Sequence, residues 1–109
     1  MLVSAGALSA MKVTITTDKS VYIKGDKIRI SVHTKDSNGN IIKHALVRLA
    51  FTQGAKSYAF DEIFANNMGV AEFRGKLPKN VSSGEYVIFA VVTKPGFEQG
   101  TGIGKFNVF

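Results

Sequence analysis

The sequence predicts an all-β fold, a sandwich of about seven antiparallel strands. Three observations carry this. No window of a dozen residues keeps apolar side chains at i, i+3, i+4 and i+7, so the helix period is nearly absent. Apolar and polar residues alternate instead in short runs. Clusters of Gly, Asn, Asp and Pro break those runs at close intervals, which is the pattern of a sandwich or barrel.

The first strand is 12–17, with Val13 and Ile15 on one side and Lys12, Thr14 and Thr16 on the other. Asp18-Lys19-Ser20 interrupts it, Val21 and Tyr22 resume apolar contact, and Lys24-Gly25-Asp26 turns the chain. Residues 27–34 alternate cleanly. Ile28, Ile30 and Val32 face inward, while Lys27, Arg29, Ser31 and His33 face water, as an antiparallel sheet with one solvated side allows. In Asp36-Ser37-Asn38-Gly39-Asn40 the Asp and Asn side chains bond their own backbone and Gly39 supplies a positive φ. Residues 45–52 follow, with Val47, Leu49 and Phe51 inward, and 53–56 turn again. The run 57–60 is a short strand that continues irregularly to Phe64. Asn66-Asn67-Met68-Gly69 turns into 70–75, where Ala71 and Phe73 alternate with Glu72 and Arg74. Residues 77–83 are the long connection between sheets. The near-continuous apolar run 86–93 reads as a central strand covered on both faces, or nearly so. Lys94-Pro95-Gly96-Phe97 turns into a last strand, 100–109, with Phe106 and Val108 inward. Gly100, Gly102 and Gly104 stand two apart on it, which points to a bulge or a close backbone approach.

Two short signatures bracket this pattern. Asp18-Lys19-Ser20-Val21-Tyr22-Ile23-Lys24-Gly25-Asp26 reads as strand, tight turn, strand. Gly84-Glu85-Tyr86 places a tyrosine where a loop enters a central strand, the corner arrangement of immunoglobulin-like sandwiches. The predicted architecture is therefore an immunoglobulin-like, Greek-key β-sandwich. Its structural residues are Tyr22, Gly25, Asp26, Gly39, Gly69, Gly84 and Tyr86. The Tyr86 hydroxyl is expected to bond backbone in the preceding loop.

The order of these features resembles macroglobulin-like and bacterial immunoglobulin-like domains. Asn67-Met68-Gly69-Val70-Ala71-Glu72-Phe73 is similar to their Asp/Asn-x-Gly-x-Ala-x-Phe hairpin. Gly84-Glu85-Tyr86 is similar to the start of their sixth strand, and Pro95-Gly96-Phe97 with Phe106-Asn107-Val108 to their closing hairpin. The resemblance spans 13–109. It implies a spacer or binding module within a longer secreted or surface protein, whose partners are neighbouring domains of the same parent chain. It offers no catalytic residue, and the Cys-Gly-Glu-Gln thioester sequence of the macroglobulins is absent.

Composition agrees with one domain. A chain of 109 residues with 45% hydrophobic and 20% charged residues is globular rather than disordered. It buries enough surface to fold without a disulfide or metal. With no cysteine, disulfides, thiolate metal sites and cysteine nucleophiles are excluded. Small secreted eukaryotic domains often carry disulfides, so their absence tilts the source toward prokaryotes, while the resemblance implies a place outside the cell or at its surface. The net charge is +6, but the cations are dispersed and no three stand in a row. That disfavours nucleic acid and leaves an acidic polysaccharide or an anionic cell surface as the better charged partner. No apolar stretch reaches the length of a membrane span. Residues 1–11 read as a linker, a signal remnant or a cloning tail, either poorly ordered or pairing as an extra edge strand; 12–109 are the domain.

Candidate reactive groups each meet a simpler structural reading. His33 and His44 lack the converging ligands a metal needs. Counting from Asp36, the sixth and twelfth places of a calcium loop hold Ile41 and Val47, so 36–40 is a turn. A calcium site built from Asp18, Asp61 and Glu62 across loops is a minor alternative. Asp61 and Glu62 are adjacent on a strand and point to opposite faces, unlike a glycosidase pair. Gly100-Thr101-Gly102-Ile103-Gly104 has no helix after it to hold a phosphate. No cofactor is expected. The aromatics placed nearest the surface are Tyr22, Tyr58, Phe60, Phe64 and Phe97. Of these, Tyr58, Phe64 and Phe97 are the candidate ligand surface. The expected function is a non-catalytic module that spaces, assembles or adheres. The alternatives are a carbohydrate-binding accessory of a secreted hydrolase, or a subunit that exchanges residues 1–12 as a strand.

Overall fold

Alternating side chains sort the chain into two sheets. The computed structural model describes residues 8–109. Its strands are β1 (Met11–Thr17), β2 (Val21–Tyr22), β3 (Lys27–Asp36), β4 (Leu46–Gln53), β5 (Lys56–Phe64), β6 (Val70–Lys76), β7 (Gly84–Thr93) and β8 (Gly100–Val108). One sheet has the order β1-β3-β6, the other β2-β8-β7-β4-β5. The chain changes sheets at every connection except β4 to β5 and β7 to β8, giving an immunoglobulin-like sandwich. The expected strand count rises from about seven to eight because Val21–Tyr22 is a strand of its own. It is also the exception to antiparallel pairing: Val21 and Tyr22 run parallel to Asn107 and Val108.

The core forms where the inner faces meet. Ile28, Ile30 and Val32 of β3 and Ala71 and Phe73 of β6 are buried. They face Val47 and Leu49 of β4, Ile88, Ala90 and Val92 of β7, and Phe106 and Val108 of β8, also buried. Each large side chain removed from water contributes about 1.5–3 kcal/mol before conformational entropy is counted.

Three local expectations are sharpened by the structure. β7 lies centrally between β8 and β4, with one face buried and the other only partly covered, Val87 and Val91 being half-buried there. Tyr86, Ile88, Ala90 and Val92 are buried, whereas Phe89 on the outer face is 40% exposed. A central strand is protected at its edges, which is a separate matter from cover over both faces. The run 57–60 does continue irregularly to Phe64, within the nine-residue β5. Its register slips opposite Leu49 and Ala50, which pair with Asp61 and Ala59 and leave Phe60 as the extra residue of a bulge. The glycine row on β8 is a close approach without a bulge: β7 and β8 pair in unbroken register. A Cβ on Gly102 would lie 2.7 Å from Val13 Cγ1 and 3.0 Å from the Val13 carbonyl oxygen.

That approach closes one side of the sandwich. Gly100 faces Met11 and Val13, Gly102 faces Val13, and Gly104 faces Ile15. β1 and β8 thus lie side by side in the same direction while belonging to different sheets. Just before β1, Ser9 bridges to Phe97, and its carbonyl accepts from Glu98 N at 2.9 Å. This is a single bridge; residues 1–7, on which the two expectations for the leading segment mainly fall, lie outside the described residues.

Candidate functional site

Tyr22 and Tyr86 are the two largest fully buried side chains. The Tyr86 hydroxyl donates to the Ser82 carbonyl at 2.8 Å, pinning the β6–β7 connection to the strand it leads into. Tyr22 does more. Its hydroxyl donates to Asp18 Oδ1 at 2.5 Å and accepts from Lys19 N at 3.1 Å. Asp18 Oδ1 also accepts from Arg29 N at 3.0 Å, so one carboxylate joins the β1–β2 loop to β3. Asp26 finishes the turn by accepting from Ile23 N at 2.9 Å. The hydrogen bond from Tyr22 holds the Asp18 carboxyl below its usual range, against the opposing effect of burial. Burial, then the bond to Asp18, pushes the Tyr22 phenol up to about 12. Tyr22 therefore belongs to the interior, and its placement among the surface aromatics is corrected.

Phe60 is corrected likewise. The bulge turns its ring inward to lie 5.3 Å from Phe51 and 6.1 Å from Phe73. It fills the side of the sandwich opposite the β8 glycines, against Gly75, whose Cβ would sit 2.8 Å from the ring. Gly25, Gly39, Gly69 and Gly84 have φ of 89°, 86°, 72° and 128°. Gly69 is the most constrained of them, since a Cβ there would meet the Thr34 carbonyl oxygen at 2.9 Å.

The three ligand-surface candidates separate. Tyr58 is 40% exposed near one end of β5. Phe64 is six residues along the same strand, roughly 20 Å away. Phe64 and Phe97 do meet, in a groove of about 550 Å³ at the pole where the chain runs into β1. Leu46 and Pro95 extend its apolar wall, and His44, Lys94 and Gln99 supply polar rims. Phe64 is 69% exposed. His44 has φ 60°, the one non-glycine with positive φ among the described residues, and its N–H reaches the Asn66 carbonyl at 3.4 Å. Such a groove can hold the apolar face of a sugar or a short extended segment. Sequence reasoning left His44 as an ordinary surface histidine, and no pattern in the chain marks its left-handed backbone.

The other candidate groups stay apart. Among the described residues no three His, Asp or Glu side chains gather as a metal site would require. Asp18 is engaged at Tyr22. Glu62 pairs with Arg48 at 2.6 Å on the outer face of the larger sheet. Asp61 accepts from Glu62 N at 2.8 Å.

No family model matches this sequence, and no curated protein does. Solved structures match it in fold. A neelaredoxin-type superoxide reductase from Ignicoccus hospitalis superposes with TM-score 0.62 at 11% identity, covering 97% of this chain and 85% of that one. The CARDB domain of a Pyrococcus furiosus protein, solved in complex with di-metal ions, gives 0.58 at 18%, covering 94% and 90%. The sporulation control protein Spo0M of Bacillus subtilis gives 0.56 at 17%. There 93% of this chain is covered but the match spans about half of the other, 50%. At these identities the likeness establishes the fold alone: a small all-β sandwich domain, shared by proteins of unrelated function.

Proposed function

We propose that this domain is a non-catalytic immunoglobulin-like module, of the macroglobulin-like kind, in a larger secreted or cell-surface protein, where it spaces, assembles or adheres. The path of the chain carries the reading. β1 and β8 run side by side in one direction, so the polypeptide arrives at one pole of the sandwich and departs at the other. Modules built this way string end to end without doubling back. The tyrosine locks at the departing pole and the Ser9–Glu98 bond at the arriving pole fix both junctions to the body of the domain. Chains of enzymes match the fold at 9–14% identity, which carries no chemistry across. Two copies joined through residues 1–11 test the arrangement by small-angle scattering. The expected particle is about twice as long as one copy; a compact side-by-side pair contradicts the proposal. Brief proteolysis of intact source cells tests location, since a surface protein is cut without lysis.

A second reading has its own observation. The Phe64–Phe97 groove, bordered by the strained His44, fits carbohydrate binding as an accessory to a secreted hydrolase. Retention on insoluble polysaccharide that is lost in Phe64→Ala and Phe97→Ala supports it; retention unchanged by both removes it.

A further inference from the structure

The cations that look scattered along the chain are gathered by the fold. On the outer face of the β1-β3-β6 sheet, Lys12 stands directly across from Lys35, Lys27 from Lys76, and Arg29 from Arg74. All six are exposed. Like charges opposed across a ladder are destabilising, so three such pairs on one small face oppose folding rather than serve it. Two acids stand beside them: Glu72, 2.8 Å from Arg74 Nη2 and 4.0 Å from Arg29 Nε, and Asp18, which lines a groove with Lys27, Arg29 and Arg74. Among the described residues the four lysines have no ion-pair partner. Six cations against these two acids leave +4 on this face, out of +6 for the whole chain.

We propose that this face binds a linear acidic polysaccharide. The inference goes beyond the module reading and stands without it. From Lys27 to Lys35 the charged stripe spans eight residues of one strand, roughly 27 Å, the length of several sugar units. Between the two cationic ends lies a polar floor of Thr14, Thr16, Ser31 and His33. Those hydroxyls suit the hydroxyls of a sugar chain, while the flanking lysines and arginines meet its carboxylate or sulfate groups. A shallow groove of about 490 Å³ runs along Lys12, Thr14, Thr16, His33 and Lys35. The same face carries no phenylalanine or tyrosine, so single-stranded nucleic acid lacks its stacking platform. It presents no large exposed apolar side chain to enter a bilayer.

The test uses the native domain on immobilised polygalacturonate, for carboxylates, and chondroitin sulfate, for sulfates, with neutral dextran as control. Binding to either acidic chain at about 0.15 M salt, weakening as salt rises, is expected. Lys12→Gln, Lys35→Gln and Lys76→Gln combined should weaken it about tenfold or more while Tm holds or rises, because repulsion is removed. Lys24→Gln, Lys56→Gln and Lys105→Gln change net charge equally off this face and should cost about threefold at most. Equal losses in the two triples mean that only net charge matters and overturn the site. Tighter binding to single-stranded DNA or to phosphatidylglycerol vesicles than to either polysaccharide overturns the ligand class.

Discussion

Tyr22 and Tyr86 flank the same strand and are locked by different chemistry. Tyr86 on β7 stacks on Phe106 of β8 at 5.2 Å, and Tyr22 on β2 meets that ring edge-on at 5.5 Å. Both rings are fully buried. Tyr86 donates to a neutral carbonyl, Tyr22 to a carboxylate. A neutral bond holds one loop in place at any ordinary pH. A charge-assisted bond is shorter and stronger, but it depends on the ionisation of both partners. The fold thus fastens one pole twice, once by a bond indifferent to acid and once by a bond that answers to it.

The shared ring is the way to break the comparison outright. Phe106→Ala should remove the contact both tyrosines use and cost about 4 kcal/mol in denaturant unfolding, the largest effect expected here. A loss under about 2 kcal/mol would show that the two locks do not rely on a common ring. Tyr22→Phe should cost about 1.5 kcal/mol, near the low end for a bond to a charged group, because Asp18 is open to water on one side. Tyr86→Phe should cost about 1 kcal/mol, and a melt unchanged by it rejects the corner. The reverse order of these two losses rejects the charge-assisted account.

The finest test is pH. The folded Asp18 carboxyl titrates below its unfolded value, held down first by the Tyr22 hydroxyl. Its contribution is complete above the unfolded value near pH 4 and is lost as pH falls through the lower folded value. The Tyr22 phenol moves the other way, up to about 12. Its contribution is complete below about pH 10 and is lost as pH climbs toward 12. Tyr22→Phe should flatten both limbs of the stability–pH curve, while Tyr86→Phe leaves the acid limb as it is.

Alternation made most of the interior legible. Ile28, Ile30, Val32, Val47, Leu49 and Phe73 all lie where period-two spacing puts them. The β8 glycines announced a close neighbour, though nothing in their spacing said that β1 is that neighbour. The parity of β5 was out of reach, because one extra residue at Phe60 reverses every side chain beyond it and leaves no mark in composition. The cationic face was hidden for a related reason. Its members come from positions 12, 27, 29, 35, 74 and 76, and only strand register sets them opposite one another. The Phe64–Phe97 groove likewise depends on a strand end and a distant turn meeting at one pole.

β5 is an open edge of the larger sheet, and its ladder changes step at Phe60. A second chain adding to that edge would face two short stretches out of phase, bent away from each other. The apolar strand β7, whose β-branched run would suit intermolecular pairing, is shielded by β4 on one side and β8 on the other. Two copies brought edge to edge at β5 therefore meet no straight seam along which to fuse.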